Sequence, residues 1–218
     1  MKGYRTVYQG AEGEYTDRKS RFIAHVQPAA SEEEALQFIE EMRRRYWDAR
    51  HNCFAYVIAP EDGSLPLARS SDDGEPAQTA GKPMLDLLQA EELQNTVAVV
   101  TRYFGGILLG TGGLVRAYSG ALRAALDNCV LVDKIPAARM MLRCSYPLYG
   151  RLQGRLLESG GVLINTLYDT DVEIRFALPE TAVPRFQKML LEISSGSVQA
   201  QQTGSCWLGE ADGTMKIL

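Results

Sequence analysis

The pattern of apolar and polar positions predicts regular elements along most of the chain, and it is clearest over residues 97–126. This segment opens with Val97-Ala98-Val99-Val100, an apolar run typical of a strand buried on both faces. Five glycines follow within residues 105–113. A glycine loop that leads into a helix directs free backbone N–H groups toward one point, so we expect an anion-binding site there. The helix is predicted by apolar residues at three- and four-residue steps: Leu114, Val115, Tyr118, Leu122 and Leu126.

Shorter patterns upstream predict further strands, helices and loops. Ser31 is followed three residues later by Glu34, a capping box that predicts the start of a helix. A second helix is predicted from Thr79, with Pro83 in its first turn, where a missing N–H is tolerated. The composition of residues 70–76 predicts a loop. The other predicted elements are strands at 4–9 and 20–26 joined by a polar turn around Gly10 and Gly13, a strand at 52–58 and a turn at 61–63.

A break in the pattern at residues 132–138, which include Pro136, predicts a boundary between two domains. After the break the order is strand, helix, strand, strand, helix, strand, which is typical of a ferredoxin-like domain. The strands are predicted at 140–146, 162–168, 172–178 and 197–207, with helices at 148–159 and around Phe186, Met189, Leu190 and Ile193. We therefore predict an α+β protein with one domain at 1–133, a ferredoxin-like domain at 139–208 and a loose tail at 209–218.

The composition is that of a globular protein and argues against a membrane protein or a zinc protein. The apolar content of 45% and the charged content of 23% are ordinary for a globular protein. The sequence has no signal-peptide pattern and no apolar run near the ~18 residues of a membrane helix, so we expect a cytoplasmic protein without a membrane partner. The net charge of −4 means that any surface for nucleic acid must be a local patch. The four cysteines are scattered and only two histidines are present, so we expect no zinc site, no other metal and no cofactor.

The glycine segment does not match the known nucleotide-binding motifs. A P-loop requires Lys and then Ser or Thr after its second glycine, whereas Thr111 and Gly112 follow Gly110. A dinucleotide-binding fingerprint requires a third glycine at the position of Val115. Backbone amides alone can hold an anion. The glycines are therefore explained either by phosphate binding or by close packing between strand, loop and helix, and both interpretations stay open.

Charged residues near the glycines are the remaining candidates for chemistry. Asp72, Asp73 and Glu75 could bind Mg²⁺ or transfer protons, although Asp and Gly are also ordinary turn residues. Lys82 lies near a predicted helix start, where the helix dipole disfavours a cation. Arg102 lies near the end of a predicted buried strand. Its charge requires a ligand or a carboxylate partner, and the three acidic residues are the candidates for that partner.

Two long motifs resemble those of the IMPACT/YigZ family. They are residues 71–85, SDDGEPAQTAGKPML, and residues 99–118, VVTRYFGGILLGTGGLVRAY, with shorter matches at 19–23 and 49–53. The resemblance covers essentially the whole chain. It implies an N-terminal α+β domain similar to the second domain of a small-subunit ribosomal protein. It also implies a C-terminal domain similar to the ferredoxin-like domains of elongation factor G, and a role in translation or its control.

From the residues and the resemblance together, we predict a non-enzymatic protein that binds RNA, the ribosome or a regulatory protein through a glycine-rich groove. Arg102, Lys82 and Arg116 would contact phosphate, and Tyr103 and Phe104 would offer stacking faces. The other predicted binding residues come from the acidic loop and the glycine positions: Asp72, Asp73, Gly74, Glu75, Pro76, Gly81, Gly105, Gly106, Gly110, Thr111, Gly112 and Gly113.

Two alternatives use the same region. In the first, the protein is a nucleotide- or phosphate-dependent enzyme, and Asp72 or Asp73 holds Mg²⁺ or accepts a proton. The N-terminal fold family includes small-molecule kinases with glycine-rich loops, which residues 106–113 faintly resemble. In the second alternative, the protein binds only other proteins, through an apolar patch of Tyr103, Phe104 and Leu108.

Overall fold

An antiparallel sheet lies at the centre of each of two units, Tyr4–Val132 and Asp133–Leu218, and the second unit also includes Gly3. The structure is a computed structural model that describes residues 2–60, 65–211 and 213–218. The turn predicted at residues 61–63 lies outside the described residues. Two sheets flanked by helices confirm the α+β class. Within the described part of the chain, no helix is long and apolar enough to span a membrane.

In the N-terminal unit (Tyr4–Val132), the sheet has the strand order β2-β3-β6-β4-β5. The elements in chain order are β1 (Tyr4–Gln9), β2 (Ala11–Asp17), β3 (Ser20–Pro28), α1 (Glu32–Arg45), β4 (His51–Ile58), β5 (Leu67–Ser71), α2 (Gly81–Ala90), β6 (Thr96–Tyr103) and α3 (Gly110–Asn128).

The central strand β6 is buried on both faces, as its sequence predicts. On one face, Val97 and Val99 pack with apolar side chains of α1. On the other face, Ala98 and Val100 pack with apolar side chains of α2 and α3. Because β6 is fixed from both sides, the strand holds Arg102 and the start of the glycine segment at a defined end of the sheet.

The predicted capping box at the start of α1 is confirmed. The Ser31 hydroxyl accepts a hydrogen bond from the amide of Glu34 at 3.2 Å. The Glu34 carboxylate reaches back and accepts from the amide of Ala30 at 2.7 Å. The side chain of Ser31 thus satisfies a backbone donor that the first turn of a helix leaves unpaired.

The polar turn predicted around Gly10 and Gly13 is wrong, because most of this segment forms β2, which pairs with β3 along its whole length. The strand lies at an edge of the sheet, where polar residues are common, so its sequence lacks an apolar signature. Gly13 packs against α3, and a Cβ atom at this position would lie only 2.1 Å from the amide nitrogen of Ala125. The glycine therefore marks a close approach of strand and helix.

The C-terminal unit (Asp133–Leu218) has the predicted alternation of strands and helices. Its sheet has the order β11-β10-β7-β9-β8, and the first four strands in chain order have the arrangement of a ferredoxin-like domain. Both helices pack on one face of the sheet. The elements are β7 (Val130–Cys144), α4 (Tyr146–Glu158), β8 (Val162–Tyr168), β9 (Val172–Pro179), a short 3₁₀ helix (Glu180–Ala182), α5 (Val183–Ile193), β10 (Gln201–Ala211) and β11 (Thr214–Ile217).

The predicted break at residues 132–138 is not a loop. These residues lie within β7, where Ala137 pairs with Pro179 of β9 and with Cys206 of β10. Ala137 and Ala138 are buried, although their small side chains carry little apolar signal. The chain therefore passes from one unit to the next within a strand.

The loose tail predicted at 209–218 is wrong. Residues 209–211 complete β10, which pairs with β11, and Glu210 lies opposite Met215. Met215 and Ile217 pack against a small buried cluster that contains Leu208. A strand of four residues is too short to show a periodic pattern, so its pairing was not visible in the sequence.

Candidate functional site

The glycine segment connects β6 to α3 and presents apolar side chains at the surface of the N-terminal unit. Strand β6 ends at Tyr103 and α3 begins at Gly110. In the loop between them, residues 104–109, Phe104 is 50% exposed and Leu108 is 80% exposed. Large apolar side chains at this exposure suggest a contact surface when polar groups accompany them.

Arg102 is an interior residue. Its side chain is 7% exposed, and its Nη1 donates to Oε1 of Glu75, whose side chain is 3% exposed, at 2.6 Å. The guanidinium also lies 5.4 Å from the ring centroid of Phe22 and 5.5 Å from that of Phe104. The predicted need for a carboxylate partner is met by Glu75. A side chain enclosed in this way is not placed to contact phosphate, so the contacts of Arg102 indicate a structural role instead of the predicted phosphate contact.

The buried pair belongs to a larger polar network. The Tyr118 hydroxyl of α3 donates to the same oxygen of Glu75 at 2.9 Å. Burial raises the pKa of the Tyr118 phenol, which keeps it protonated as a donor. Burial also raises the pKa of the Cys53 thiol, which donates to the carbonyl of Asp72 at 3.0 Å. The network joins the acidic loop, β4, β6 and α3. Its hydrogen bonds and its ion pair therefore hold these four segments together.

The carboxylate of Asp72 caps the start of α2. Its Oδ1 accepts from the amides of Ala80 and Gly81 at 2.9 and 2.8 Å, and its Oδ2 accepts from the amide of Gln78 at 2.8 Å. These bonds satisfy donors at the N-terminal end of the helix. Gly81 is required by packing, since a Cβ there would lie 2.6 Å from the backbone of Ser71.

Asp73 and its neighbours form the turn itself. The Oδ2 of Asp73 accepts from the amide of Asn52 at 2.7 Å, and its carbonyl lies 2.8 Å from Nδ1 of His51. Asp73 and Gly74 both have positive φ, and the carbonyl of Pro76 accepts from the Thr79 hydroxyl at 2.6 Å. The turn interpretation of this loop therefore agrees with its contacts. Among the described residues, no group of three or more metal-binding side chains comes together.

Lys82 and Tyr103, which the sequence predicts as ligand contacts, form contacts within the protein instead. Lys82 forms an ion pair with Asp86, one turn along α2. The Tyr103 hydroxyl donates to Asp48 at 2.8 Å, whereas the neighbouring Phe104 covers Arg102. Tyr103 and Phe104 thus do not form one stacking surface, and the predicted groove is smaller than the sequence suggested.

Two glycines of the segment are explained by packing. A Cβ on Gly105 would lie 2.0 Å from the carbonyl carbon of Lys19, and the amide of Gly105 donates to the Ser20 hydroxyl at 3.1 Å. A Cβ on Gly113 would lie 2.9 Å from Cβ of Leu109. The contacts of Gly105 bring the turn between β2 and β3 against the glycine loop.

The other three glycines face open space. Gly106 and Gly110 have φ values of +84° and +71°, and a Cβ on either would meet nothing within 4 Å. Gly112 lies in the first turn of α3 without positive φ, and its nearest neighbour would be Nη1 of Arg116 at 3.8 Å. Neither conformation nor packing requires a glycine at position 112.

The start of α3 has no capping side chain and no acidic residue in its first turn. Gly110, Thr111 and Gly112 are exposed there, and Arg116 extends toward them. Within the described residues, Arg116 forms no ion pair. We call the following group the α3 N-terminal surface: Arg18, Lys19, Phe104, Gly106, Gly110, Thr111, Gly112 and Arg116.

Sequence reasoning did not include Arg18 and Lys19 in the site. Both are exposed at the turn between β2 and β3, and Nη1 of Arg18 donates to the carbonyl of Leu108 at 3.1 Å. Adjacent cations at a turn were the available signal. Their position beside a loop about 90 residues later in the chain follows from the pairing of β3 with β6.

Comparison with known proteins places these features in a family. The Impact N-terminal domain matches residues 18–126, and a domain of unknown function, DUF1949, matches residues 142–197. The IMPACT family member YvyE of Bacillus subtilis is 36% identical over 211 residues, covering 97% of this chain and 96% of its own. The chain belongs to the IMPACT family.

Other relatives of this IMPACT family member cover less of the chain. The IMPACT family member YigZ of Escherichia coli is 43% identical over 182 residues, which cover 84% of this chain and 89% of its own. A solved structure of Yih1, described as a two-domain translational regulator, is 31% identical and covers 56% of this chain and 47% of its own, with a TM-score of 0.40.

Proposed function

We propose that this IMPACT family member is a non-enzymatic protein that binds RNA through the α3 N-terminal surface and acts in translation. The association with translation is the role that the resemblance to the IMPACT family implies.

The main support for the proposal is the glycine at position 112, which has no structural reason. A glycine inside a helix costs about 0.5–1 kcal/mol relative to alanine, so one without a structural reason needs another explanation. Open space above an exposed first turn allows the backbone of a ligand to approach the amides directly. The N-terminal end of a helix favours an anion, because its first amides are unpaired and the helix dipole is positive there.

Arg116 supports the same interpretation. Its guanidinium is directed toward the positive end of its own helix, where a cation is disfavoured. A phosphate between the guanidinium and the helix amides would relieve this repulsion. Arg18 and Lys19 add two exposed cations beside the loop, and half-exposed Phe104 offers a ring face on which a base can stack.

The enzyme alternative has less support from the site. The carboxylates of Asp72 and Asp73 accept hydrogen bonds from backbone amides, so both already have structural partners. The protein-binding alternative keeps one specific observation in its favour, since Leu108 is 80% exposed beside half-exposed Phe104. Under the proposal, Leu108→Ser leaves RNA affinity unchanged, whereas a protein partner would be lost.

The proposal is tested by measuring the affinity of the full chain for a short single-stranded RNA by fluorescence anisotropy. We expect Lys19→Gln and Arg116→Gln each to weaken binding about tenfold, the effect of losing one charge-assisted hydrogen bond to phosphate. Each change should also reduce the slope of log affinity against log salt by about 0.7. Sequence preference should be modest, because phosphate contacts do not identify bases.

The matched control is Arg44→Gln, which removes the same charge from the exposed end of α1. It should leave both affinity and salt slope unchanged. Equal effects of Arg44→Gln and Arg116→Gln would show that only overall charge matters, and the proposed surface would then be wrong.

A further inference from the structure

The sheet of the C-terminal unit has one face that α4 and α5 do not cover. Met140, Leu142 and Phe176 face the helices, so alternate residues on β7 and β9 face the other way. On that opposite face, a cluster around Ala137 and Ala177 packs with residues of β11. Beyond the cluster, the same face carries three exposed arginines, Arg139 and Arg143 on β7 and Arg175 on β9.

A buried carboxylate holds two of these arginines in place. Glu173 is 11% exposed, and it lies directly opposite Arg143 in the register of β7 and β9. Its Oε2 accepts from Nε of Arg143 at 3.0 Å, and its Oε1 accepts from Nε of Arg175 at 2.9 Å. These hydrogen bonds hold the pKa of Glu173 below its usual value, so it remains ionised. Within the described residues, the bonds to Glu173 use Nε and Nη2 of each guanidinium, so Nη1 is left for another acceptor.

We infer that this arginine face, which consists of Arg139, Arg143, Glu173 and Arg175, is a second surface that contacts the phosphate backbone of RNA. Three guanidinium groups and one carboxylate give the face a net charge of +2. Arg139 and Arg143 are four residues apart on one strand, which separates them by about 13 Å, and Arg175 lies opposite the intervening Met141. A planar guanidinium that is already oriented suits phosphate recognition, since little rotamer freedom is lost on binding.

The arrangement favours RNA over an acidic protein. Protein interfaces usually have an apolar centre and a polar rim. Here the order is reversed, because the arginines lie on the inner strands β7 and β9, while exposed Leu167 lies on the edge strand β8. Asn165 shares this face opposite Arg175, and its amide can bond to a base edge or a ribose hydroxyl. The choice of RNA as ligand rests on the proposed function, whereas the residues are independent of the α3 N-terminal surface.

The test uses the full chain and the same short single-stranded RNA. We expect Arg139→Gln to weaken binding about tenfold and to reduce the salt slope by about 0.7. Arg139→Lys should restore most of the affinity, because the charge is retained. The matched control is Arg151→Gln on the exposed surface of α4, which should bind like the wild type.

A triple variant, Arg143→Gln, Glu173→Gln and Arg175→Gln, removes the buried carboxylate together with both of its arginine partners. No buried charge is then left without a partner. This triple variant should also bind weakly while melting near the wild-type temperature. Wild-type affinity in Arg139→Gln and in the triple variant would overturn the inference. Displacement of the RNA by a polyglutamate peptide at the same concentration as by unlabelled RNA would overturn it too, in favour of an acidic protein partner.

The two surfaces can fail separately. Weak binding in Arg116→Gln combined with normal binding in Arg139→Gln would refute the arginine face and leave the proposed function intact. Normal binding in Arg116→Gln and Lys19→Gln combined with weak binding in Arg139→Gln would support the arginine face and refute the α3 N-terminal surface.

Discussion

Arg102→Ala should lower the free energy of unfolding by about 3–5 kcal/mol, because it leaves the buried carboxylate of Glu75 without its cation. The lost contacts of the guanidinium with Phe22 and Phe104 add to this effect. Urea unfolding followed by circular dichroism measures the change. The matched control is Arg21→Ala, since Arg21 pairs with Glu14 at the surface, where such a pair contributes only about 0–1 kcal/mol.

A double-mutant cycle separates the ion pair from the packing of Arg102. Arg102→Met combined with Glu75→Gln removes both charges, so the double variant should be more stable than the sum of the two single changes predicts. Additive effects would mean that the two side chains do not interact in solution. A cost below ~1 kcal/mol for Arg102→Ala would show that Arg102 is solvated, and the interior role given to it here would be wrong.

Gly105→Ala should destabilise the protein by about 3 kcal/mol or more, at the upper end of the range for overpacking. The new Cβ would lie 2.0 Å from the carbonyl carbon of Lys19, so the backbone of one of the two segments must move. A flexible side chain could rotate away from such a contact, but the backbone of the turn between the paired strands β2 and β3 cannot. The measurement is again urea unfolding.

Gly112→Ala is the matched control for the glycine prediction. It adds the same methyl group in open space on a helix and should stabilise the protein by about 0.5–1 kcal/mol. The same variant should bind RNA more weakly, because the methyl group obstructs the approach to the amides. Equal effects of the two substitutions on stability would contradict the division of the glycines into packing and binding positions.

Periodic elements were predictable from the sequence because their burial repeats along the chain. The double-sided burial of β6 follows from Val97-Ala98-Val99-Val100, and the start of α1 follows from Ser31 and Glu34. The order of elements in the C-terminal unit was predictable for the same reason. Strands β2, β5 and β11 were missed. The first two lie at sheet edges with few buried side chains, so Ser70 and Ser71 of β5 were wrongly predicted as loop, and β11 is too short for a pattern.

The site was less predictable because it depends on contacts between distant segments. The sequence offered three acidic partners for Arg102 but did not identify Glu75 among them. The carboxylate of Asp72 instead accepts hydrogen bonds from the amides at the start of α2. The sequence also could not separate the glycines required by packing from those available for binding. Gly105 belongs to the first group because the backbone of Lys19 lies against it, whereas no backbone from another segment of the described chain lies near Gly112.

Photocrosslinking tests the central claim most directly. A single-stranded RNA that contains 4-thiouridine is irradiated with the full chain, and the crosslinked peptides are identified by mass spectrometry after trypsin digestion. Trypsin cleaves after Arg102 and Arg116, so residues 103–116 form one peptide that contains both Phe104 and Gly112. The proposal predicts that this peptide carries a major crosslink that excess unlabelled RNA abolishes. Crosslinks confined to other peptides, or none above an irradiated control protein, would contradict it.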